Sequence, residues 1–122
     1  MRKRSFALLL ALVLLLTACA KAASYEQITQ EEAKQIMDTT NGYILLDTRT
    51  QEEYDQSHIP GALLIPHTEI AERAAAELPD KDQVILVYCR SGNRSKQASE
   101  ILAELGYTNV KEFGGINTWP YE

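Results

Sequence analysis

Val84-Ile85-Leu86-Val87-Tyr88-Cys89-Arg90-Ser91-Gly92-Asn93-Arg94-Ser95 is the stretch that decides the fold. Its first five residues are an unbroken apolar run rich in β-branched side chains, the pattern of a strand buried on both faces. From Ser95 to Leu105 the apolar residues Ala98, Ile101, Leu102 and Leu105 recur at helical spacing, and Gly106 supplies a stop. A buried strand that runs through a short glycine-containing loop into a helix packed on the sheet is the unit of an α/β fold. Ligands of such folds sit at the carboxyl ends of the strands, where Cys89 stands.

Working outward, the same alternation holds on both sides. Tyr25 to Ile28 reads as a short strand, and Thr29 with Glu32 forms a capping box opening a helix to about Asp38, ended by Asn41-Gly42. Tyr43 to Leu46 is a strand ending in Asp47, and Thr50 with Glu53 caps a brief helix. After the Pro60-Gly61 turn come a small strand, Ala62 to Ile65, and an alanine-rich helix from about Thr68 to Leu78. Val110 to Phe113 is the last strand, followed by Gly114-Gly115 and a tail containing Trp119. Strands alternating with helices predict a largely parallel sheet.

The N-terminus reads differently. Arg2, Lys3 and Arg4 precede an apolar run from Phe6 to Leu16 and the small residues Thr17, Ala18 and Cys19, the layout of an export signal. The run falls well short of the about 20 apolar residues that span a bilayer. Leu16-Thr17-Ala18-Cys19 resembles the lipobox of bacterial lipoproteins, in which Cys19 is the lipid attachment site. The expected organisation is therefore a signal peptide at 1–18, a membrane tether at 19–24 and one domain at 25–122. Fully extended, Ala20 to Ser24 reaches roughly 17 Å, which holds the domain close to the outer face of a bacterial membrane. Removing the three leader cations takes the net charge from −5 to −8. A surface this acidic argues against nucleic-acid binding, and a monomer is expected.

With Cys19 lipidated, Cys89 has no intramolecular disulfide partner in an oxidising compartment, which invites the reading of a reactive thiol. The loop from Arg90 to Ser95 can curl its successive N–H groups inward as an anion nest, and it feeds a helix N-terminus. The helix dipole contributes about 0.3–1 kcal/mol, less than one pKa unit. The loop N–H groups and the charges of Arg90 and Arg94 are expected to supply the rest. A thiolate is itself a nucleophile, so the chemistry needs no histidine base.

Asp47-Thr48-Arg49, Glu53-Tyr54, His58-Ile59-Pro60-Gly61-Ala62, Tyr88 to Ser95, and Gly114-Gly115 with Trp119 together resemble the single-domain rhodaneses, from about Ile28 to Trp119. The resemblance implies a rhodanese-like α/β domain with a five-stranded sheet flanked by helices. It also implies sulfurtransferase activity, in which a donor such as thiosulfate, polysulfide or a persulfide passes its sulfane sulfur to the loop cysteine and a thiol or other thiophilic acceptor removes it. Carried over by residue, Cys89 is the sulfur carrier. Arg90, Ser91, Gly92, Asn93, Arg94 and Ser95 form the substrate cradle, with Arg90 and Arg94 on the anionic end of the donor. The covalent persulfide replaces any cofactor.

The rival chemistry is that of a phosphatase or arsenate reductase, which also pairs a strand-end cysteine with a loop arginine. The tyrosine-phosphatase pattern separates the two by five residues, whereas here only Arg90 to Asn93 intervene, a narrower cradle better suited to one sulfur atom. A third reading, a module that only binds a partner, is marked by loss of the loop cysteine, and Cys89 is present. Asp47, Arg49 and His58 read as structural support near the site, and Trp119 as core or rim packing. Glu69, Glu72 and Glu77 read as solvated surface. Two histidines and one thiol give no familiar metal-ligand spacing, so no metal is expected.

Overall fold

Ile85–Cys89 is the central strand of the sheet, and all five of its residues are buried. The computed structural model describes residues 24–122; the signal peptide expected at 1–18, the expected lipid attachment site Cys19 and most of the expected tether at 19–24 lie outside the described residues. In chain order the elements are β1 (Glu26–Gln27), α1 (Gln30–Thr39), β2 (Ile44–Asp47), α2 (Gln51–Gln56), β3 (Leu63–Leu64), a 3₁₀ turn (His67–Glu69), α3 (Ile70–Glu77), β4 (Ile85–Cys89), α4 (Asn93–Glu104), β5 (Val110–Gly115) and a second 3₁₀ turn (Ile116–Thr118). The fold is α/β. Its five strands lie in the order β1-β5-β4-β2-β3, and every neighbouring pair is parallel.

Strand alternation along β4 splits the core in two. Ile85 and Val87 point toward α3 and α4, joining Leu46, Ile70, Leu78, Ala98, Leu102 and Val110. Leu86 and Tyr88 point the other way, joining Ala33, Leu45, Ile59 and Phe113, with Trp119 packed on that cluster. Each of the larger buried side chains contributes about 1.5–3 kcal/mol relative to exposure, which is why an apolar run without polar interruption sits at the middle of the sheet.

Several boundaries differ from the sequence reading. The strand expected at Ala62 to Ile65 narrows to Leu63–Leu64, because Pro66 follows and has no N–H for a ladder. The helix expected from Thr68 opens as a 3₁₀ turn at His67 and becomes α-helical only at Ile70. The helix expected from Ser95 starts two residues earlier, at Asn93. There Gly92, at φ 112°, reverses the chain within the loop. Glycine adopts that left-handed conformation without the Cβ clash other residues meet.

The end of β2 is fixed by a buried ion pair. The Arg49 guanidinium donates to both Asp47 carboxylate oxygens at 2.7–3.1 Å and to the Ser57 carbonyl at 2.7 Å. The Arg49 backbone N–H also donates to Asp47 Oδ1 at 2.9 Å. The pair ties the β2–α2 loop to the segment that follows α2. Asp47→Ala leaves a buried guanidinium without its counter-charge, and a loss of about 3–5 kcal/mol is expected in urea unfolding. A loss below about 1 kcal/mol would show that water reaches Arg49 and that the pair is not a brace.

Candidate active site

Cys89 closes β4 at the carboxyl edge of the sheet and is 1% exposed. The next residues wrap around its sulfur. The Gly92 N–H donates to Cys89 Sγ at 3.0 Å, and the Ser95 hydroxyl lies 3.3 Å from it. Burial opposes ionisation of this thiol. The Ser95 side chain and the N–H groups of Ser95, Gly92 and Ser91 outweigh burial and hold the thiol below its ordinary pKa. Hydrogen bonds, rather than the two arginines, carry most of the activation.

The arginines have separate places. Arg94, in the first turn of α4, grips the Glu53 carboxylate through two bonds of 2.6 and 2.9 Å. This bidentate latch joins α4 to α2 and occupies the guanidinium that the sequence reading had placed on the donor's anionic end. Hydrogen bonding to Arg94 leads the causes that hold the Glu53 carboxyl down at about 2. A depressed carboxylate stabilises the fold above its unfolded pKa and loses that contribution as pH falls through the folded value, so the latch stays closed across neutral pH. Arg90 is exposed and has no ion-pair partner among the described residues. It lines a cavity of about 340 Å³ beside the loop, together with Arg49, Glu53, Gln56, Ile116 and Asn117. Arg90 is thus the cation open to an anionic ligand.

Asp47 and Arg49 stand under this cavity as the buried pair described above. His58 is exposed, stacked on the Tyr54 ring at 3.7 Å, with Nδ1 2.9 Å from the Tyr54 carbonyl, and it does not line the cavity. Trp119 packs on Phe113 at 5.2 Å between centroids. Glu69 and Glu77 both pair with Arg73 on the face of α3. Among the described residues no group of three or more His, Cys, Asp or Glu side chains is placed to hold a metal ion.

Two contributors escaped sequence reasoning. Glu112, on β5, is 3% exposed. It accepts the Ser95 hydroxyl at 2.6 Å and the Gly114 N–H at 2.8 Å. A carboxylate between Val110 and Phe113, in a strand whose other charged residue is Lys111, was the available signal. Gly115 lies under the loop, where an added Cβ would overlap the Arg90 carbonyl and crowd the Ser91 nitrogen. Nothing local in sequence marks that close approach.

Comparison with known proteins agrees with this geometry. Residues 29–121 match the rhodanese-like domain family. The chain belongs to the rhodanese-like family. It is 48% identical over 71 residues to the thiosulfate sulfurtransferase PspE of Escherichia coli, covering 58% of this chain and 68% of that protein. A sulfurtransferase of Allochromatium vinosum is 40% identical over 94 residues, covering 76% and 86%. A solved E. coli structure described as a rhodanese with anions superposes with a TM-score of 0.62 at 42% identity, covering 66% of this chain and 94% of that one. The five-stranded α/β domain thus shares its fold with solved rhodaneses, and the enzyme class is that of a rhodanese-type sulfurtransferase.

Proposed function

We propose that this rhodanese-type sulfurtransferase carries sulfane sulfur as a persulfide on Cys89, taking it from a small anionic donor such as thiosulfate and passing it to a thiol or other thiophilic acceptor. The observation that carries the reading is a buried, activated thiol inside a curl of N–H donors, with the exposed Arg90 cation at the mouth. The name of the E. coli relative, a thiosulfate sulfurtransferase, supports the choice of donor.

In the first half-reaction the Cys89 thiolate attacks the outer sulfur of thiosulfate. A new S–S bond forms to Cys89, the donor's S–S bond breaks, and sulfite departs with the bonding electron pair. The persulfide keeps one negative charge, and the Gly92 N–H already directed at Sγ is placed to stabilise it. In the second half-reaction a thiophile attacks the outer sulfur and regenerates the Cys89 thiolate. A thiolate is itself a nucleophile, so neither step needs a histidine base, and His58 does not line the cavity.

The lipobox resemblance at Leu16-Thr17-Ala18-Cys19 supports export and lipid anchoring at the extracytoplasmic face. More than one acyl chain is needed for stable anchoring, at about 0.8 kcal/mol per buried CH₂.

Intact-mass measurement after incubation with thiosulfate tests the carrier, and the expected result is an adduct of about 32 Da that dithiothreitol removes. No adduct with thiosulfate, polysulfide or a low-molecular-weight persulfide would overturn the reading. Arg90→Ala is expected to raise KM for thiosulfate about fivefold to tenfold, the weight of one partly screened charge contact, while an uncharged organic trisulfide is used as before. Equal losses with both donors would mean that Arg90 shapes the loop rather than binding the anion.

A further inference from the structure

Ser95 has one hydroxyl proton and four acceptors within reach, the most distant being the Gly114 carbonyl at 3.4 Å, and the two acidic ones, Glu112 and the Cys89 sulfur, are its chief claimants. Its Oγ lies 2.6 Å from Glu112 Oε2, 3.3 Å from Cys89 Sγ and 3.0 Å from the Gly92 carbonyl, and all three side chains are at most 3% exposed. A serine hydroxyl has one hydrogen to give. Against a neutral thiol the carboxylate takes it, because its oxygen at 2.6 Å is a closer and stronger acceptor than a thiol sulfur at 3.3 Å. The Ser95 oxygen then faces Cys89 with lone pairs and accepts from the S–H. When the sulfur becomes an anion, as thiolate or as persulfide, that arrangement sets lone pairs against negative charge. The Ser95 hydroxyl must turn its hydrogen to sulfur, leaving Glu112 with the Gly114 N–H alone.

We propose that Glu112 is a positioning residue which competes with the Cys89 sulfur anion for the Ser95 hydroxyl proton, and so sets how firmly the loop holds negative charge on sulfur. The inference rests on the reading of Cys89 as the sulfur carrier. Its consequence for that role is a cradle held short of its greatest grip, in which the N–H groups stabilise the sulfur anion and Glu112 opposes it. No cation touches Glu112 among the contacts of the described residues, and the carboxylate gains nothing from the fold beyond these two hydrogen bonds. A buried carboxylate with two donors would be costly as packing alone.

The other charged groups around this pair stay constant in the test. Arg94 of α4 faces Cys89 while bound to Glu53, and the Asp47–Arg49 pair lies at the end of β2. Tyr25, ahead of β1, faces Glu112 and also Glu100 of α4. Arg90 lies on the solvent side of the loop, and Lys111, next to Glu112 in β5, is paired with Glu26.

The experiment is alkylation of the donor-free protein by iodoacetamide as a function of pH, in wild type, Glu112→Gln, Ser95→Ala and the double variant. An amide at 112 keeps an oxygen for the Gly114 N–H and the Ser95 hydroxyl, which both reach Glu112 Oε2, but a neutral amide oxygen is a weaker acceptor than a carboxylate and yields the hydroxyl hydrogen to sulfur more readily. Glu112→Gln is therefore expected to move the profile to lower pH, with about tenfold faster alkylation on its acid limb. In the Ser95→Ala background the same change is expected to have little effect, since nothing is left to compete for. A profile that stays in place or moves to higher pH, or a shift that survives in Ser95→Ala, overturns the proposal. Should Glu112→Gln fail to fold, the wild-type Glu112 carboxyl carbon resonance provides the test. It is expected to move as Cys89 titrates and to stop doing so in Ser95→Ala, and a flat response in wild type overturns the proposal. Neither readout uses a sulfur donor, so failure here is distinct from failure of the persulfide reading.

Discussion

Cys89→Ser is expected to abolish thiosulfate turnover, a fall of about 10³-fold or more, with the unfolding transition little changed. A serine hydroxyl in the same cradle stays protonated at neutral pH, and the cavity beside the loop is lined by no histidine that could serve as its base. The N–H groups that favour a thiolate cannot bring an alcohol within reach of ionisation, since its starting pKa lies far above that of a thiol. The size of the side chain is nearly preserved at a position that is 1% exposed, and the Gly92 N–H keeps an acceptor. Loss of activity with stability kept is therefore the signature of a missing nucleophile. Residual turnover above about a tenth of wild type would place the chemistry on another residue or on solution thiols.

How much of this was legible in sequence follows from how local each feature is. The β4–loop–α4 unit was readable because its signals are contiguous: an apolar β-branched run, a glycine in the loop, and helical spacing from Ala98 to Leu105. The capping boxes were readable for the same reason, and Thr50 with Glu53 forms one in full. Glu53 shows where such reading runs out. As a capping residue it was visible, but its second role, gripping Arg94, joins residues 41 apart in sequence and exists only because β2 and β4 are neighbours in the sheet. Without that knowledge Arg94 looked available to the donor. Glu112 failed to register for a related reason: its partner Ser95 lies on another element, and only the parallel pairing of β4 with β5 brings the two together. The expected leader and Cys19 lie outside the described residues, and the proposed anchoring rests on the lipobox resemblance alone.

The least legible feature has the second-largest expected effect. Gly115 is paired with Cys89 across β4 and β5, at a place where the ladder shifts register. The backbone of Arg90 and Ser91 passes over it so closely that a single methyl group has no room, and the obstacle is main chain, which cannot swing aside as the end of a flexible side chain can. Gly115 carries its own ties as well: its carbonyl accepts the Gln30 side-chain N–H at 2.9 Å, which holds β5 against α1. Moving Gly115 to relieve the clash would strain that contact, so the movable party is the loop. Gly115→Ala is therefore expected to push Arg90 and Ser91 outward, opening the curl of N–H groups that faces Cys89 Sγ. Overpacking of this kind costs about 1–3 kcal/mol in stability. The larger effect falls on activity, because a displacement near 1 Å in a preorganised site costs on the order of 10²-fold. Turnover of thiosulfate reports that loss, and the pH profile of Cys89 alkylation is expected to move to higher pH as the N–H donors withdraw from the sulfur. Activity within threefold of wild type, with an unmoved alkylation profile, would show that the cradle tolerates the methyl group and that its geometry is not set from beneath by Gly115.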